Sequence, residues 1–438
     1  MPVSRREFIG GAAVATGARL PSPAADTPPS DRIRVAVIGM GGRGRDHMRL
    51  LAKVPGVEVA AFCDPDQTRL AEKSAEFEKL SGRKPRLEQD MRRLLDDHNI
   101  DAVTIATCNH WHALATIWAC QAGKHVYVEK PVCHDLFEGS QMVAASRKYN
   151  RLVQGGTQRR SSGHVQRAIQ ALHQGMIGDV YMARCIHYQQ RNALPFQTSE
   201  DPPGTLDWNL WVGPGPMQPF NRNLVHYNWH WFWDYGNGEL GNNGVHYIDL
   251  ARWGLNRQLP STIYSTGGRF GYRDPAQTPN TQLTSYRFDN GTELIAEIRG
   301  RFTNAEGGVS SGLAFYGSKG YMISDPENDG RFHVYLDGKP TREPDLGTVE
   351  ADDCSGDDQM CHFRNFFDAV RANKREMLAA EIEQTFLSSA FCLLGNISYR
   401  MGKELRFDPA SRLFTNDPPA NDLLKGLYRP PFTVPQNV

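Results

Sequence analysis

The chain has 438 residues, with 49 basic and 49 acidic side chains and a formal net charge of zero. With no basic excess to neutralise phosphate backbones, the composition excludes nucleic acid as an expected partner. No run of about 18 apolar residues is present to span a bilayer as a helix, and at roughly 150 residues per domain the length suits two domains.

The chain opens with Ser4-Arg5-Arg6-Glu7-Phe8-Ile9, a weakly apolar stretch from Gly10 to Ala18, and a Pro/Ala-rich segment to Ser30. Adjacent arginines before a mild apolar region resemble a twin-arginine export signal, with small residues at Ala24 and Ala25 suited to cleavage. A basic tail is the alternative. Residues 1–30 are set apart as signal and linker, with a periplasmic or otherwise exported location expected. Export by this route carries a protein out folded, together with any bound cofactor. The eight cysteines form no CxxC pair. Most are read as buried small hydrophobes rather than staples, since a chain this long does not need them.

Residues 31–155 read as a doubly wound α/β unit. Val35 to Gly39 is a β-branched run typical of a buried parallel strand. It leads into Gly39-Met40-Gly41-Gly42-Arg43-Gly44, a GxGxxG sequence, then a helical stretch. A second strand, Val57 to Cys63, ends at Asp64, twenty residues beyond Gly44. Gly39 permits the tight turn, Gly41 lets backbone approach a pyrophosphate, and Gly44 lets helix pack on strand. The helix N-terminus offers free N–H groups to the phosphates. Asp64 would accept hydrogen bonds from a ribose diol and repel a 2′-phosphate, which favours NAD over NADP. Strands at Asp101–Thr107 and His125–Val128 flank a helix at Trp111–Ala122. Two loops at the strand ends, Thr107-Cys108-Asn109-His110-Trp111-His112 and Glu129-Lys130-Pro131, stand where ligands bind in such sheets.

Beyond Gln154-Gly155-Gly156-Thr157-Gln158 the alternation stops. Strand-like segments at Val180–Tyr188, Ser261–Phe270, Thr281–Phe288, Thr292–Arg299, Gly312–Tyr316 and Tyr321–Ser324 predict an α+β second domain, 156–438, with a mainly antiparallel open sheet. Asp289-Asn290-Gly291 has hairpin chemistry. Helices are expected near His362–Ala372 and Glu381–Met401, and another from Gly244. On the last, His246, Asp249 and Trp253 fall at offsets of three and four and share a face that could look into the cleft between domains.

With GxGxxG, Asn109-x-x-His112, Glu129-Lys130-Pro131 and Gly244-Val245-His246-Tyr247-Ile248-Asp249 in place, the chain resembles the Gfo/Idh/MocA family. These are NAD(P)-dependent oxidoreductases of sugars and cyclitols. The resemblance implies that Lys130 lies between nicotinamide and substrate, where its ammonium stabilises developing alkoxide charge. It aligns His246 with the family's general acid/base and His112 with the cofactor loop. Association of subunits through the second domain's sheet, in a homo-oligomer, is a further family expectation. Glu129 would be a cofactor contact or a partner for Lys130. Gln158, Arg159 and Arg160 would reach cofactor or substrate, or else face solvent.

One position departs from the pattern. Asn242 stands where many dehydrogenase members carry an aspartate, and an amide cannot act as a base. It can still orient a hydroxyl. Asp234, Tyr235 and Tyr247 are candidates for the missing acid/base role. Five tryptophans between Trp208 and Trp233 lie among Asn, His, Asp and Gly in loop-like sequence. They read as core or as sugar-stacking platforms, with Trp231, Trp233, Tyr235, His246 and Asp249 as substrate-binding candidates. His110, His112 and His230 belong to no HExxH or Cys/His cluster, so no metal site is expected.

An exported protein works where free NAD is scarce, so a cofactor loaded before export must be retained and its redox state restored in each cycle. The expected activity is oxidoreduction of a sugar, cyclitol or glycoside. The alternative, by resemblance to the glycoside hydrolase family 109 proteins, is net glycoside cleavage through oxidation, elimination, hydration and reduction. A sugar or NAD sensor without catalysis is the third reading.

Overall fold

The computed structural model describes residues 32–301, 310–324, 332–337, 339–340 and 357–438. The export signal read at residues 1–30 lies outside them. Six parallel strands form the first sheet: β1 (Ile33–Ile38), β2 (Val57–Cys63), β3 (Arg86–Glu88), β4 (Ala102–Ile105), β5 (His125–Val128) and β6 (Val153–Gly155). Their order is 3-2-1-4-5-6. This is the doubly wound arrangement expected from the alternating pattern. The order reverses between β1 and β4, which opens a crevice at the carboxyl ends of the strands. Strand β1 is sealed on both faces, with Val35, Ala36 and Val37 fully buried. That explains its unbroken β-branched run. β3 and β6 escaped the sequence reading because three residues carry no period.

The glycine turn is built by close approach. Gly39 has φ +88, and a Cβ there would lie 2.6 Å from the Ala106 carbonyl. A Cβ on Gly44 would lie 1.8 Å from the Gly39 carbonyl oxygen. Only glycine lets the helix Gly42–Leu51 start this close to β1.

Among the described residues the second sheet has ten strands: β7 (Val180–Tyr188), β8 (Thr262–Gly268), β9 (Thr281–Arg287), β10 (Glu293–Arg299), β11 (Ser311–Gly317), β12 (Gly320–Ser324), β13 (Phe332–Leu336), β14 (Lys339–Pro340), β15 (Leu405–Asp408) and β16 (Leu413–Phe414). They run in the order 14-13-12-11-7-10-9-8-15-16. β7 and β10 pair in parallel. The other named pairs are antiparallel, as the hairpin chemistry foretold. The helices Val245–Leu255 and Ile382–Met401 cover one face, where Phe391 packs on Tyr286 with ring centroids 4.9 Å apart. The opposite face leaves Tyr264 and Leu283 exposed.

The boundary drawn at residue 155 is crossed in space. The helix Asp358–Ala372 returns to the first unit, where Phe363, Phe366 and Phe367 share a core with Val35, Val37, Met48 and Tyr127. Sequence order hides this, because burial of a helix face does not say against which sheet it is buried.

Replacing Gly44 with alanine drives a methyl into the Gly39 carbonyl. Thermal melts of Gly44→Ala are expected to show a loss of about 3 kcal/mol, whereas Gly41→Ala, whose Cβ would meet nothing within 4 Å, should melt like the parent.

Candidate active site

A cavity of about 350 Å³ runs from the carboxyl ends of β1, β2 and β4 to the second unit. At one end lie Gly39, Gly41, Gly42, Arg43 and Asp64; at the other, Lys130, Asn242 and His246. Thr107, Asn109, His112, Glu129 and Gln158 line it between them. Residues from six segments distant in sequence thus meet in one space. Met40 and Gly44, the remaining fingerprint positions, do not line it. Met40 donates its backbone N–H to Asp64, at 2.7 Å, and Gly44 serves helix packing.

The Asp64 carboxylate also accepts the Asp66 N–H at 3.0 Å. Burial pushes its carboxyl up to about 6, with the two backbone donors pulling the other way. Glu129 is buried, and its Oε1 accepts from Arg43 Nε at 2.7 Å and sits 3.0 Å from His47 Nε2. Burial alone would raise its carboxyl, but the Arg43 guanidinium and the His47 ring outweigh it and hold Glu129 well below the usual carboxylate range. Arg43 is held in turn by Gln359, at 2.8 Å, from the returning C-terminal helix.

Lys130 stands two residues beyond β5, at a cis Lys130–Pro131 bond. Its Nζ donates to the backbone carbonyl of Asn242 at 2.6 Å. Burial lowers its pKa to about 8, against the pull of Glu129. Asn242 sits in a π-helical turn, Leu240–Gly244, directly before the helix Val245–Leu255. Such widened turns recur at functional sites. His246, one turn on, is held neutral by burial and by the neighbouring cations Lys130 and Arg159. Its Nδ1 is buried without a hydrogen-bond partner. His112 places Nδ1 2.7 Å from the Pro131 carbonyl and Nε2 3.1 Å from the Thr107 carbonyl. A neutral ring can donate to only one of them. Asn109 reaches across to Asn237 at 2.9 Å and ties the units together.

The substrate-binding candidates divide. Asp249 is buried in a bidentate pair with Arg160, at 2.7 and 2.8 Å, and accepts from Ser388 at 2.6 Å. The face it shares with Trp253 turns to Arg160, whose guanidinium lies 5.0 Å from the Trp253 ring centre, and not to the cleft. Arg160 itself is thereby structural. Trp231 is buried with Leu194 and Ala276 beneath Arg191, and Trp233 lies under Arg400. Tyr235 is fully buried, with its hydroxyl held by Gln218 and the Pro216 carbonyl. None of these four lines the cavity, because the Asp249 carboxylate is spent on Arg160 and apolar burial or cation stacking claimed the three rings. The aromatic lining comes instead from Trp111, Trp211, Tyr227, Trp229 and His230. Tyr227 and His230 were missed as site residues. Neither stands in a motif, and only the fold of the 189–238 stretch brings them to the cavity.

The residues fit a dinucleotide. A Cβ on Gly41 or Gly42 would meet nothing within 4 Å, which leaves an open backbone cradle beside a helix N-terminus. Arg43 Nη2 and Gln158 Oε1 are buried without partners beside it.

The fold and site together define a two-unit dinucleotide-binding protein with a chamber of aromatic and polar side chains at the junction. Residues 33–157 match the model of the oxidoreductase family with NAD-binding Rossmann fold. Residues 187–308 and 334–434 match that of its C-terminal alpha/beta domain. The chain belongs to the Gfo/Idh/MocA oxidoreductase family. It is 39% identical over 174 residues to inositol 2-dehydrogenase 1 of Saccharopolyspora erythraea, a match over 39% of this chain and half the length of that protein. It is 27% identical over 282 residues to a glycosyl hydrolase family 109 protein of Shewanella pealeana, covering 63% of this chain and 58% of that one. In structure it is similar to levoglucosan dehydrogenase in complex with NADH and L-sorbose, with a TM-score of 0.66 at 19% identity over 86% of this chain and 99% of that one. It is also similar to the aldose-aldose oxidoreductase from Caulobacter crescentus, with a TM-score of 0.64 at 17% identity over 86% and 100%.

Two outcomes follow from the site. Asp249→Ala leaves Arg160 buried without its partner, so the variant should lose about 3–5 kcal/mol in denaturant melts. Its NADH affinity per folded molecule should stay unchanged. Ionised Asp64 accepts from a ribose diol more strongly than its protonated form. NADH affinity, followed by fluorescence titration, should therefore fall as pH drops through about 6, by at most about tenfold per pH unit, and level off above 7. Asp64→Asn should abolish the step.

Proposed function

We propose that the protein is an NAD-dependent oxidoreductase of a sugar, cyclitol or glycoside, working with a cofactor it retains. The observation that carries this reading is a single cavity joining the glycine cradle and Asp64 to Lys130, Asn242 and His246. Asp64, with both carboxylate oxygens already pinned by backbone N–H groups, favours the unphosphorylated ribose of NAD over NADP.

When bound, the nicotinamide supplies a hydride acceptor and donor. The protein does the rest. Lys130 Nζ, moving from the Asn242 carbonyl to the reacting oxygen, donates a hydrogen bond to developing alkoxide charge. His246 is a neutral ring that orients a neighbouring hydroxyl, and Trp111, Trp211 and Trp229 keep water from the chamber. Twin-arginine export and retention of the cofactor belong to the same proposal. So does association through the outer face of the ten-stranded sheet, which leaves Tyr264 and Leu283 uncovered.

Net glycoside cleavage is the second reading, favoured by one observation: the amide of Asn242 in place of a carboxylate base. The experiment separates the readings. The protein is purified without added cofactor and denatured, and stoichiometric NAD is expected in the supernatant. The native protein is then incubated with myo-inositol, levoglucosan, glucose and methyl glucosides in deuterium oxide. A ketonic product, with bound NADH seen by its fluorescence and lost in Lys130→Met, is the expected result. Free sugar with deuterium beside the anomeric carbon would replace it with the hydrolase, and binding without turnover with a sensor.

A further inference from the structure

Asn242 offers no carboxylate, Glu129 is spent on Arg43 and His47, and His246, hemmed by Lys130 and Arg159, is a poor proton acceptor. Tyr227 lines the same space, directly before the tight turn Asn228–Trp231. Its position is held from two sides. His230 Nδ1–H donates to the Tyr227 carbonyl at 2.5 Å, and the two rings meet with centroids 4.7 Å apart. His230 is itself stacked on Trp229, at 3.6 Å.

The phenol oxygen accepts from Asn242 Nδ2 at 3.5 Å, and the Arg191 guanidinium stands over the Tyr227 ring, 6.0 Å from its centre. Arg191 cannot drift. Its Nε and Nη2 each lie 2.9 Å from the carboxylate of Glu239, which is buried and also bonded by Asn243. An amide nitrogen can only donate, so the phenol's own hydrogen turns away from Asn242 and is free for the cavity that Tyr227 lines. The donating amide and the nearby guanidinium would face the negative charge left on that oxygen when the proton departs.

We propose that Tyr227 is a catalytic acid/base of this site, doing the work that a carboxylate at position 242 would otherwise do, with Arg191 and Asn242 as its positioning residues. The inference rests on the oxidoreductase reading above. When a sugar hydroxyl is oxidised, its O–H bond breaks and the proton passes to the Tyr227 phenolate, while the C–H electron pair leaves with the hydride. In the return step the phenol O–H bond breaks and the proton goes to the carbonyl oxygen as that carbon regains a hydride. Tyr227 is half exposed, so the proton also exchanges with solvent between steps. Asn242, read as the loss of a base, becomes the donor that makes a phenol serve as one.

The test uses full-length protein and whichever sugar of the panel the wild type oxidises. Tyr227→Phe keeps the ring on His230 and removes only the oxygen. Its kcat should fall about 100-fold or more, with KM within about threefold and with NADH affinity and the thermal midpoint unchanged. Replacing Tyr227 with 3-fluorotyrosine, a more acidic phenol, should move the pH profile of kcat to lower pH, which a ring that merely packs would not do. A kcat within threefold of wild type in Tyr227→Phe overturns the proposal. So does a loss matched by weaker NADH binding or a lower midpoint, or an unmoved profile in the fluorinated protein. If the wild type oxidises none of the sugars, the oxidoreductase reading itself fails and takes this inference with it. An active wild type with an active Tyr227→Phe sinks the inference alone.

Discussion

The contact on which the chamber depends is the 2.6 Å hydrogen bond from Lys130 Nζ to the Asn242 carbonyl. One partner stands just beyond a strand of the dinucleotide sheet and the other sits in the π-helical turn that starts the second unit's buried helix. The ammonium rests on that carbonyl, from which a substrate oxygen would displace it. Burial brings Lys130 to about 8, so the group sits near the balance between ammonium and amine at physiological pH.

That contact survives only because the groups behind it are pinned. Glu129 neighbours Lys130 and is neutralised by Arg43 and His47; Arg43 is in turn bonded by Gln359 from the far end of the chain. On the second unit, Asp249 with Arg160 and Ser388 locks the helix carrying His246 onto the helix Ile382–Met401. Neither buried ion pair is there for raw stability, since desolvation consumes most of the Coulombic gain. Their effect is geometric: each makes one register of helix against sheet far better than its neighbours. The cavity then keeps its shape while Lys130 changes partner.

The aromatic stretch shows where sequence reasoning lost its hold. Trp231, Trp233 and Tyr235 look as suited to a sugar as Trp211 and Trp229, because composition and spacing are the same for both sets. They part company in three dimensions. Arg191 and Arg400 cover Trp231 and Trp233, and Gln218 closes over the Tyr235 hydroxyl. Asp249 misled for a related reason. Helical offsets put it on the face of His246 and Trp253, but periodicity defines a face and not the surface that the face meets. Tyr227 carried no signal at all, since its place beside Arg191 and Asn242, fifteen or more residues away in either direction, is set only by the fold.

What the sequence determined alone is whatever short-range physics dictates. The turn at Gly39 and the close approach at Gly44 admit no side chain. Burial of β1 on both faces demands a β-branched run, and a hairpin at Asn290-Gly291 needs positive φ. These are local, and they already imply a dinucleotide fold beside an antiparallel sheet. Tertiary structure alone decided which polar groups meet: that Gln359 reaches Arg43, that Asp249 faces Arg160 and not the cleft, and that a tyrosine stands beside an asparagine in the reaction chamber. Such meetings depend on how helices seat against sheets, where shifts of a few ångströms exchange one partner for another, and no pattern along the chain encodes distances that small.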